Sequence, residues 1–489
     1  MPFYQRVVAG RQRSVISYYA ACLKYITFLL IAREVNMAKK LWGGRFSIPI
    51  DADFERFSRS IHYDIRLAEY DVLHSILHVK ALYFEKLLTP EEKQILNAAL
   101  QSLLADIRSN AFQADPAEED IHSAVQNTLE KSVGALAHKL HTLRSRNDQI
   151  AFDVKLYCLT RSSILLQILE NLTAAFAGLG KAYANAAFVG YTHTQRAQII
   201  RFRDYCDAYA EMFGRDRLRL QDYPKHLRLQ IGAGALAGSS VSAGSYKKAL
   251  SELADEGILL QLKELSNAQD HVSDRDHVIE LLSILNLIQM HISRFAADMI
   301  LYSTAEFDYV DLPEAFCTGS SLMPHKKNAD LLELLRGFSG KISGNLISLM
   351  MMMKGLPLTY NRDMQLDKEP LFESLDIVQE ELELLLKFVP QITLKSETIR
   401  QALEDEQFYG VEIAEYLVHH GVAFKDAHDI VGKLIRFSAD NKLLIRDIPP
   451  HRLAEFHESL SPQTLKKIMT PEHALKQRKS VSDTAGGKD

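Results

Sequence analysis

The chain has 489 residues, of which 47% are hydrophobic and 24% are charged, the composition of a soluble globular protein that can bury a large core. Its formal net charge is −5, and it contains no basic run long enough to form a nucleic-acid-binding arm, which argues against a nucleic-acid partner. The four cysteines are far apart and form no CxxC pair, so we predict reduced thiols rather than a disulfide framework or a zinc site.

The first 36 residues contain an apolar run at 15–32 that follows three arginines, the pattern of a signal peptide or a membrane anchor. Lys24 interrupts this run, no small-residue cleavage site follows it, and its length is at the short limit for a spanning helix. Met37 is a second plausible position at which translation starts. We therefore interpret residues 1–36 as a non-native or disordered extension, and we expect a cytoplasmic protein that does not associate with membranes.

Residues 37–145 are predicted to form an N-terminal helical domain. The glycines of the run Leu41–Phe46 indicate a turn, and helical spacing of apolar residues begins at Phe54. Thr89 followed by Pro90 is typical of a helix start, with threonine as the cap and proline at the first helical position.

Residues 146–390 are predicted to form a central domain of long helices. No proline interrupts the chain between Pro116 and Pro224 or between Pro224 and Pro313, and these Leu- and Ala-rich stretches favour long helices. Strands are expected to be few or absent.

One helix of this central domain is predicted at 278–302, where apolar residues recur at steps of four and three and spread beyond a single stripe. Such a helix must be buried on several sides. Ser273 is its predicted N-cap. The segments 331–354 and 366–389 are helical by the same pattern.

The C-terminal part, residues 391–489, has shorter helical pieces, more charge and a break at Pro449-Pro450, and we predict a small helical domain with a frayed end. The predicted fold class is therefore all-α, with a central long-helix bundle and smaller helical domains at each end. Loops between long helices can bring distant residues together.

A polar loop at 319–328, Gly-Ser-Ser-Leu-Met-Pro-His-Lys-Lys-Asn, lies between two of the predicted helices. Its hydroxyl, ammonium and amide groups can bind an anion, and a serine that loses its proton can act as a base. The composition alone is equally compatible with a solvated turn. The order Ser-Ser-x-Met-Pro-x-Lys-x-Asn, followed by Glu333, resembles the signature of the fumarase/aspartase superfamily, whose members eliminate across a C–N or C–O bond and usually release fumarate.

Three further polar runs occupy 139–149, 190–198 and 354–369. The first contains two arginines and an asparagine, which suit carboxylate binding, although a solvated helix N-terminus has the same composition. The second surrounds His193 with polar residues, an unusual setting for a core histidine, and histidine moves protons near neutral pH. Glu333 is a candidate to orient this imidazole, although an ordinary helix-surface acid has the same sequence context. The third, taken alone, is a connection between helices.

Together these runs resemble the argininosuccinate lyase family from Leu41 to about Gly432. The stretches that carry the resemblance are LWGGRF, KLH-T-x-RSRNDQ, GYTH-x-QRAQ, VSDRD, GSSLMP-x-KKN, LELLRG-x-SG and KGLPL-x-YN-x-DMQ-x-DKE. The RSRNDQ and DMQ-x-DKE runs favour this family over fumarase, aspartase and adenylosuccinate lyase. The resemblance implies β-elimination of argininosuccinate to L-arginine and fumarate, in arginine biosynthesis and the urea cycle. It also implies a homotetramer whose active sites are each built from three subunits.

The resemblance implies roles for individual residues. Ser320 is expected to be the base that takes the succinyl Cβ proton, with Ser321 the less favoured assignment. Lys326 is expected to stabilise the aci-carboxylate dianion, and His193, paired with Glu333, to assist proton transfer at the leaving guanidino group. The implied substrate-binding positions are Ser60, Asn147, Thr192, Asn328, Tyr360, Gln365 and Lys368, with Arg146 as an additional carboxylate partner. No metal or organic cofactor is implied.

Several positions depart from the family pattern. Leu143 stands where Gly or Ala is usual, and its branched side chain can crowd the site; the other departures are Thr194 for Leu, Ile199 for Pro, His325 for Gln and Ala329 for Pro. These leave two alternatives open: a same-fold lyase that acts on another N-substituted succinate, and a non-catalytic, crystallin-like structural homologue. The intact Ser320, Lys326 and His193 argue against the second.

Overall fold

The computed structural model describes Ile48 and residues 50–478. The extension 1–36, the Leu41–Phe46 run and the C-terminal end predicted to fray lie outside the described residues. Helices dominate the described chain, which confirms the all-α fold class. They are α1 (Ala52–Ser58), α2 (Ile61–Asp64), α3 (Ala68–Phe84), α4 (Pro90–Arg108), α5 (Ile121–Val133), α6 (Arg146–Ala182), α7 (Phe202–His226), α8 (Ala243–Asp255), α9 (Ala268–Ser273), α10 (Asp276–Tyr302), α11 (Asp330–Gly337), α12 (Ser339–Met353), α13 (Lys368–Phe388), α14 (Ser396–Ala402), α15 (Gly410–His419), α16 (Phe424–Asn441), α17 (Pro450–Phe456), α18 (Pro462–Ile468) and α19 (Pro471–Lys476).

Short 3₁₀ helices and strands complete the described elements. The 3₁₀ helices are Ile65–Leu67, Gly134–His141, Glu314–Phe316, Arg362–Asp367, Val389–Gln391, Glu406–Tyr409 and Ile445–Asp447. The strands are β1 (Ala187–Thr192), β2 (Gln195–Arg201), β3 (Val310–Asp311) and β4 (Thr393–Leu394), paired antiparallel as β1–β2 and β3–β4. The expectation of few strands is therefore confirmed for the described residues.

The described chain divides into two compact units, each assembled from separate segments. The first unit comprises the chain up to Tyr157 together with 229–274 and 357–368. In it α3 packs against α4, α5 and α8. Most of α3 is buried, and the buried set includes the polar residues Asp71, His74, His78 and Lys80. The core of this unit therefore contains ionisable groups, which must find partners there.

The start of α4 matches its prediction. Thr89 accepts a hydrogen bond from the Glu92 backbone N–H, and the Glu92 carboxylate accepts one from the Thr89 N–H, with Pro90 at the first helical position. This reciprocal pair satisfies two of the backbone donors that a helix N-terminus leaves free.

The second unit comprises 158–228, 275–356 and the described chain from Glu369 onward. Its central helix, α10, packs against α7, α11 and α12, and its buried residues surround most of the helix, as predicted for 278–302. The predicted N-cap is wrong: Ser273 ends α9, and α10 starts after Arg275. The extended backbone at Asp274 separates the two helices, so the serine cannot cap the second one.

The helix predicted at 331–354 is divided into α11 and α12 around Phe338, whereas α13 matches the predicted 366–389 closely. The helices α15–α18 form a small apolar core of their own, which includes Ile413, Leu417 and Leu434. The linear division at residues 145 and 390 stays a prediction.

Two described helices, α6 and α10, are long and apolar enough to cross a membrane by length and composition alone. In α10, 56% of the most apolar window is buried inside the chain, as in core helices of globular proteins.

Candidate active site

A polar pocket in the first unit gathers residues from α2, α5, α6 and the segment 357–368. Its lining is Ser60, Asp64, Glu119, Asp120, His122, Arg146, Asn147, Ile150, Tyr360, Arg362, Gln365 and Lys368. Six of these are predicted substrate-binding residues, and the first and last of them, Ser60 and Lys368, are 308 positions apart in the sequence. The fold thus brings together Ser60, Arg146, Asn147, Tyr360, Gln365 and Lys368.

Arg146, the first residue of α6, is fixed by acids at the start of α5. Its guanidinium donates to Glu119 at 3.1 Å, to Asp120 at 2.7 Å and to the Ser123 hydroxyl at 3.0 Å. Asp120 also caps α5 by accepting from the Ser123 backbone N–H. Charge-assisted contacts of this kind hold a guanidinium plane in one orientation.

The 3₁₀ helix Arg362–Asp367 forms the opposite wall. The side chains of Arg362 and Gln365 both donate to the Ser58 carbonyl oxygen at 3.0 Å, which ties this helix to the end of α1. Lys368 is buried, and its ammonium contacts Asp367 at 2.8 Å and the Gln365 carbonyl oxygen at 3.3 Å. This pocket therefore contains fixed positive charge from three side chains close to three carboxylates.

Ser60 and Asp64 form a buried pair at the pocket wall. The Ser60 hydroxyl donates to the Asp64 carboxylate, and both residues are almost fully buried. Burial raises the pKa of Asp64 to about 6, while the Lys368 ammonium and the Ser60 hydrogen bond act in the opposite direction.

Asn147 is placed by backbone and side-chain contacts at the start of α6. Its N–H donates to the Ser145 hydroxyl at 3.2 Å, and its side-chain amide donates to the Ala235 carbonyl oxygen at 3.2 Å. Asn147 lines the pocket, and an amide oxygen can accept a hydrogen bond from a ligand.

The predicted signature loop lies in the second unit and is closed at its base. Thr318 and Asn328 form an antiparallel bridge, with N–H to carbonyl distances of 3.1 and 2.8 Å. Within the loop, the Ser320 side-chain oxygen accepts from the backbone N–H groups of Met323 at 3.0 Å and Leu322 at 3.3 Å. Two N–H donors directed at one oxygen stabilise negative charge on it.

The two loop lysines differ in their contacts. The Lys327 ammonium is tied to Asp311 at 3.0 Å and to the Leu312 carbonyl oxygen at 2.5 Å. The Lys326 side chain is exposed and contacts no acceptor within the part of the chain that the structure describes. Lys326 is therefore the lysine of this loop that can bind a ligand anion.

His193 occupies the tip of the β1–β2 hairpin, also in the second unit. His193 and Thr194 are the two loop residues between the paired Thr192 and Gln195, and both have positive φ (54° and 58°), as a type I′ turn requires. Positive φ is strained for a β-branched residue such as Thr194. The hairpin presents the exposed imidazole beyond its last strand pair.

Gly190 allows the hairpin to bend just before this tip. The strand register shifts between Gly190 and Tyr191, and a Cβ at 190 would lie 2.7 Å from the Gln198 carbonyl oxygen. Only glycine fits this bulge.

Glu333 lies on the exposed side of α11. Among the described residues, no hydrogen bond or ion pair joins it to His193 within one chain. The structure thus places the predicted residues in three groups: the pocket of the first unit, the hairpin with Thr192 and His193, and the loop with Ser320, Lys326 and Asn328.

Several pocket residues escaped the sequence analysis. Asp64, Glu119, Asp120 and His122 were not singled out, and Arg362 was quoted only as part of a longer run. The dense acidic run before α5 was a usable signal, because acids directly before a helix start can cap it and hold a neighbouring arginine.

The comparisons with known proteins cover nearly the whole chain. A family described as lyase matches residues 44–344, and one described as the C-terminal part of argininosuccinate lyase matches 410–476. The chain is 42% identical over 454 residues to an argininosuccinate lyase of Chloroflexus aurantiacus, covering 92% of this chain and 96% of that one. It is 39% identical over 448 residues to an argininosuccinate lyase of Desulfotalea psychrophila, covering 91% and 95%.

Solved structures show the same fold at lower identity. An EDDS lyase in complex with formate superposes with a TM-score of 0.72 at 21% identity, covering 85% of this chain and 82% of that chain. A class II fumarase from Schistosoma mansoni superposes with a TM-score of 0.72 at 16% identity, covering 87% and 96%.

Proposed function

This chain belongs to the argininosuccinate lyase family, and we propose from that premise that it cleaves argininosuccinate into L-arginine and fumarate. It is a C–N lyase that breaks the bond between the guanidino nitrogen and the succinyl carbon. The observation that carries the proposal is the pocket of the first unit, which collects six of the predicted substrate-binding residues.

The charges of this pocket suit a ligand that carries both signs. Argininosuccinate has carboxylates, an ammonium and a guanidinium, so its site must offer cations and anions side by side. Arg146, Arg362 and Lys368 supply the cations, and Asp64, Glu119 and Asp120 supply the anions. Because Arg146 already contacts Glu119 and Asp120, and Arg362 contacts Glu119, this part of the pocket is preorganised and little side-chain entropy is lost on binding.

We assign the base to Ser320. The Ser320 hydroxyl gives its proton to solvent water, the two backbone N–H groups directed at Oγ support the resulting alkoxide, and the alkoxide then takes the proton from the succinyl Cβ. The electron pair moves into the adjacent carboxylate as an aci-carboxylate dianion, and the exposed Lys326 ammonium neutralises it. The C–N bond then breaks, the pair returns to form the double bond of fumarate, and His193, paired with Glu333, assists protonation of the leaving nitrogen. Thr192 and Asn328 accompany these groups as substrate contacts.

We further propose a homotetramer in which three subunits contribute to each active site. The support is an exposed stripe along α11 and α12 at spacings of three and four: Gly337, Gly340, Gly344, Ile347 and Met351. A Cβ added at any of the three glycines would meet nothing within 4 Å in one chain, and Ile347 and Met351 are 58% and 59% exposed. Small residues beside exposed apolar ones suit close packing of helices from another subunit.

A location in the cytoplasm, in arginine biosynthesis and the urea cycle, completes the proposal. The supporting observation is that Cys158, Cys206 and Cys317 are not joined in disulfides among the described residues, as is usual in a reducing compartment.

The direct test measures the release of fumarate by its ultraviolet absorbance. Argininosuccinate and adenylosuccinate are supplied as substrates in separate reactions. We expect release from argininosuccinate alone. Release from adenylosuccinate alone would favour a same-fold lyase of different specificity, and release from neither would favour the crystallin-like alternative.

The shared site has its own test in mixed tetramers. His193→Asn and Ser320→Ala each inactivate one group of residues, so a tetramer that contains both variants has some sites with neither lesion. We expect fumarate production to return when the two variants are refolded together. A mixture that forms tetramers yet stays as inactive as its parts would place both residues in one chain's site.

A further inference from the structure

A second cluster of ligand-type side chains lies inside the first unit, outside the residues assigned to catalysis. Asp71 on α3, His122 on α5 and Asp153 on α6 each direct one ligand atom to a common point, and these atoms lie within 4.8 Å of one another. His74, one helical turn from Asp71, adds a second imidazole, with its Nδ1 3.6 Å from the Asp153 Oδ1. All four side chains are at least 96% buried.

The polar atoms of this cluster are largely without hydrogen-bond partners. Within the described part of the chain, both ring nitrogens of His74, both carboxylate oxygens of Asp153 and the Oδ2 of Asp71 have none. A buried polar group without a partner costs about 1–3 kcal/mol. Five such atoms converging in one place are therefore suited to hold a bound water or an ion.

One pair in the cluster is hydrogen-bonded, the His122 Nδ1 and the Asp71 Oδ1 at 2.9 Å, whereas the other distances fit a metal ion better than hydrogen bonds. The Asp153 oxygens lie 3.6 Å from His74 and 3.9 Å from His122, too far for hydrogen bonds. Ligands of a tetrahedral ion at about 2.0–2.2 Å stand roughly 3.3–3.6 Å apart, so small rotations of these side chains bring them to coordination distance.

Charge favours the same interpretation. Burial together with the neighbouring acids, Asp71 first among them, raises the pKa of Asp153 well above its usual range. Burial alone would raise the pKa of Asp71 as well, but the His122 imidazole and the Arg144 guanidinium hold it below its usual range. The Arg144 guanidinium supplies one positive charge beside these two buried carboxylates, and a divalent cation would neutralise the negative charge that remains when both are ionised.

We propose that Asp71, His74, His122 and Asp153 form a binding site for one divalent transition-metal ion of the zinc class. Two imidazole nitrogens and two carboxylate oxygens suit Zn²⁺ or Co²⁺ in tetrahedral geometry, whereas Mg²⁺ and Ca²⁺ prefer oxygen ligands only. Gln149, whose amide donates to the Asp71 Oδ1 at 2.9 Å, orients that carboxylate from outside the ligand set.

The position of the site gives it a structural role. His122 lines the polar pocket, so the cluster lies next to that pocket. The four ligands come from α3, α5 and α6, and an ion held among them would fix these helices directly beneath the pocket. The ion takes no part in the elimination chemistry proposed above.

The test begins with the unaltered protein after chelator treatment and dialysis. We expect it to bind one Zn²⁺ per chain, to gain thermal stability with added Zn²⁺ but not with Mg²⁺, and to give the visible absorption of tetrahedral Co²⁺. Because this titration uses the native sequence, it does not depend on a variant that folds. Fewer than one tightly bound Zn²⁺ per chain, or a Co²⁺ spectrum without tetrahedral bands, overturns the proposal.

Variants locate the ion. Asp153→Asn and His74→Phe should weaken Zn²⁺ binding by about 100-fold or more. His138→Ala, which removes a half-exposed histidine of the same unit, is the matched control and should leave binding unchanged. Circular dichroism confirms that each variant is folded. A folded Asp153→Asn protein that retains the Zn²⁺ affinity and the Co²⁺ spectrum of the unaltered protein places the ion elsewhere and contradicts the site.

Discussion

The side-chain oxygen of Ser320 accepts a hydrogen bond from the Met323 backbone N–H at 3.0 Å, and a second, longer one from the Leu322 N–H. The neighbouring Ser321 hydroxyl is exposed and receives no such pair of donors among the described residues. Two adjacent serines of the sequence motif therefore differ in the structure, because only Ser320 has donors placed to stabilise an alkoxide.

We therefore predict that Ser320→Ala lowers kcat by about 10²–10⁴-fold, the typical loss when a positioned base is removed. Ser321→Ala is the matched control and should retain most activity. Fumarate release measures both, and gel filtration checks that assembly is unchanged. The reverse ranking of the two variants would transfer the role of base to Ser321.

The two lysines of the loop give an analogous pair. Lys326→Met should lower kcat by about 10²–10³-fold, because it removes the charge assigned to the developing dianion. Lys327→Met should instead act on stability, since Lys327 is tied to Asp311 and the Leu312 carbonyl oxygen, and the change should stay below about 1 kcal/mol. Steady-state kinetics together with urea unfolding separate the two effects. Equal kinetic losses would mean that the loop conformation, and not the Lys326 charge, is what matters.

The exposed glycine stripe predicts a defect in assembly. Gly344→Leu meets nothing within 4 Å in one chain and improves helix propensity by up to about 1 kcal/mol, so the fold of the chain should be kept. If α12 packs closely against another subunit, the added side chain should lower the oligomeric mass measured by light scattering. Gly432→Leu on α16, also exposed and open, is the control and should leave the mass unchanged. An intact tetramer in Gly344→Leu would exclude this stripe from the interface.

Leu143 has a φ of 58°, in the left-handed region that favours glycine. A side chain there costs about 1–2 kcal/mol, which glycine avoids at some loss of unfolded-state entropy. Leu143→Gly should therefore raise the free energy of unfolding by up to about 1 kcal/mol. Leu143→Ala keeps the strain and should give no such gain in urea unfolding. If Leu143→Gly and Leu143→Ala have similar free energies of unfolding, the change relative to the unaltered protein comes from side-chain size and not from backbone strain.

Asp64 gives a pH prediction. Burial raises its pKa from 3.8 to about 6, so the native state holds this proton more tightly than the unfolded state. The free energy of unfolding should therefore fall as pH rises from about 4 through 6, by roughly 3 kcal/mol at 1.36 kcal/mol per pKa unit. Asp64→Asn removes this loss. The free energy of unfolding of the variant minus that of the unaltered protein should therefore increase as the pH is raised from 4.5 to 7.5. Urea unfolding at fixed protein concentration measures the difference, and parallel curves would contradict the shift.

Local sequence determined much of the fold. The capping pair of Thr89 and Glu92, the long apolar pattern of α10 and the turn-forming loop at 319–328 were all predictable, because caps, periodicity and punctuation act over a few residues. The resemblance of the polar sequence runs to the argininosuccinate lyase family predicted the substrate-binding positions. The family comparisons then confirmed the lyase family and the helical fold, while the roles of the site residues stay predictions.

Tertiary structure decided what depends on contacts between distant segments. In the folded chain Lys327, and not Lys326, is bound by neighbouring groups, and Asp120 fixes the orientation of Arg146. Folding also buries Asp71, His74, His122 and Asp153 around one point. None of these follows from local spacing, because the partners lie in other segments of the chain. Desolvation and charge in a packed interior depend on all neighbours at once, and only the folded chain specifies those neighbours.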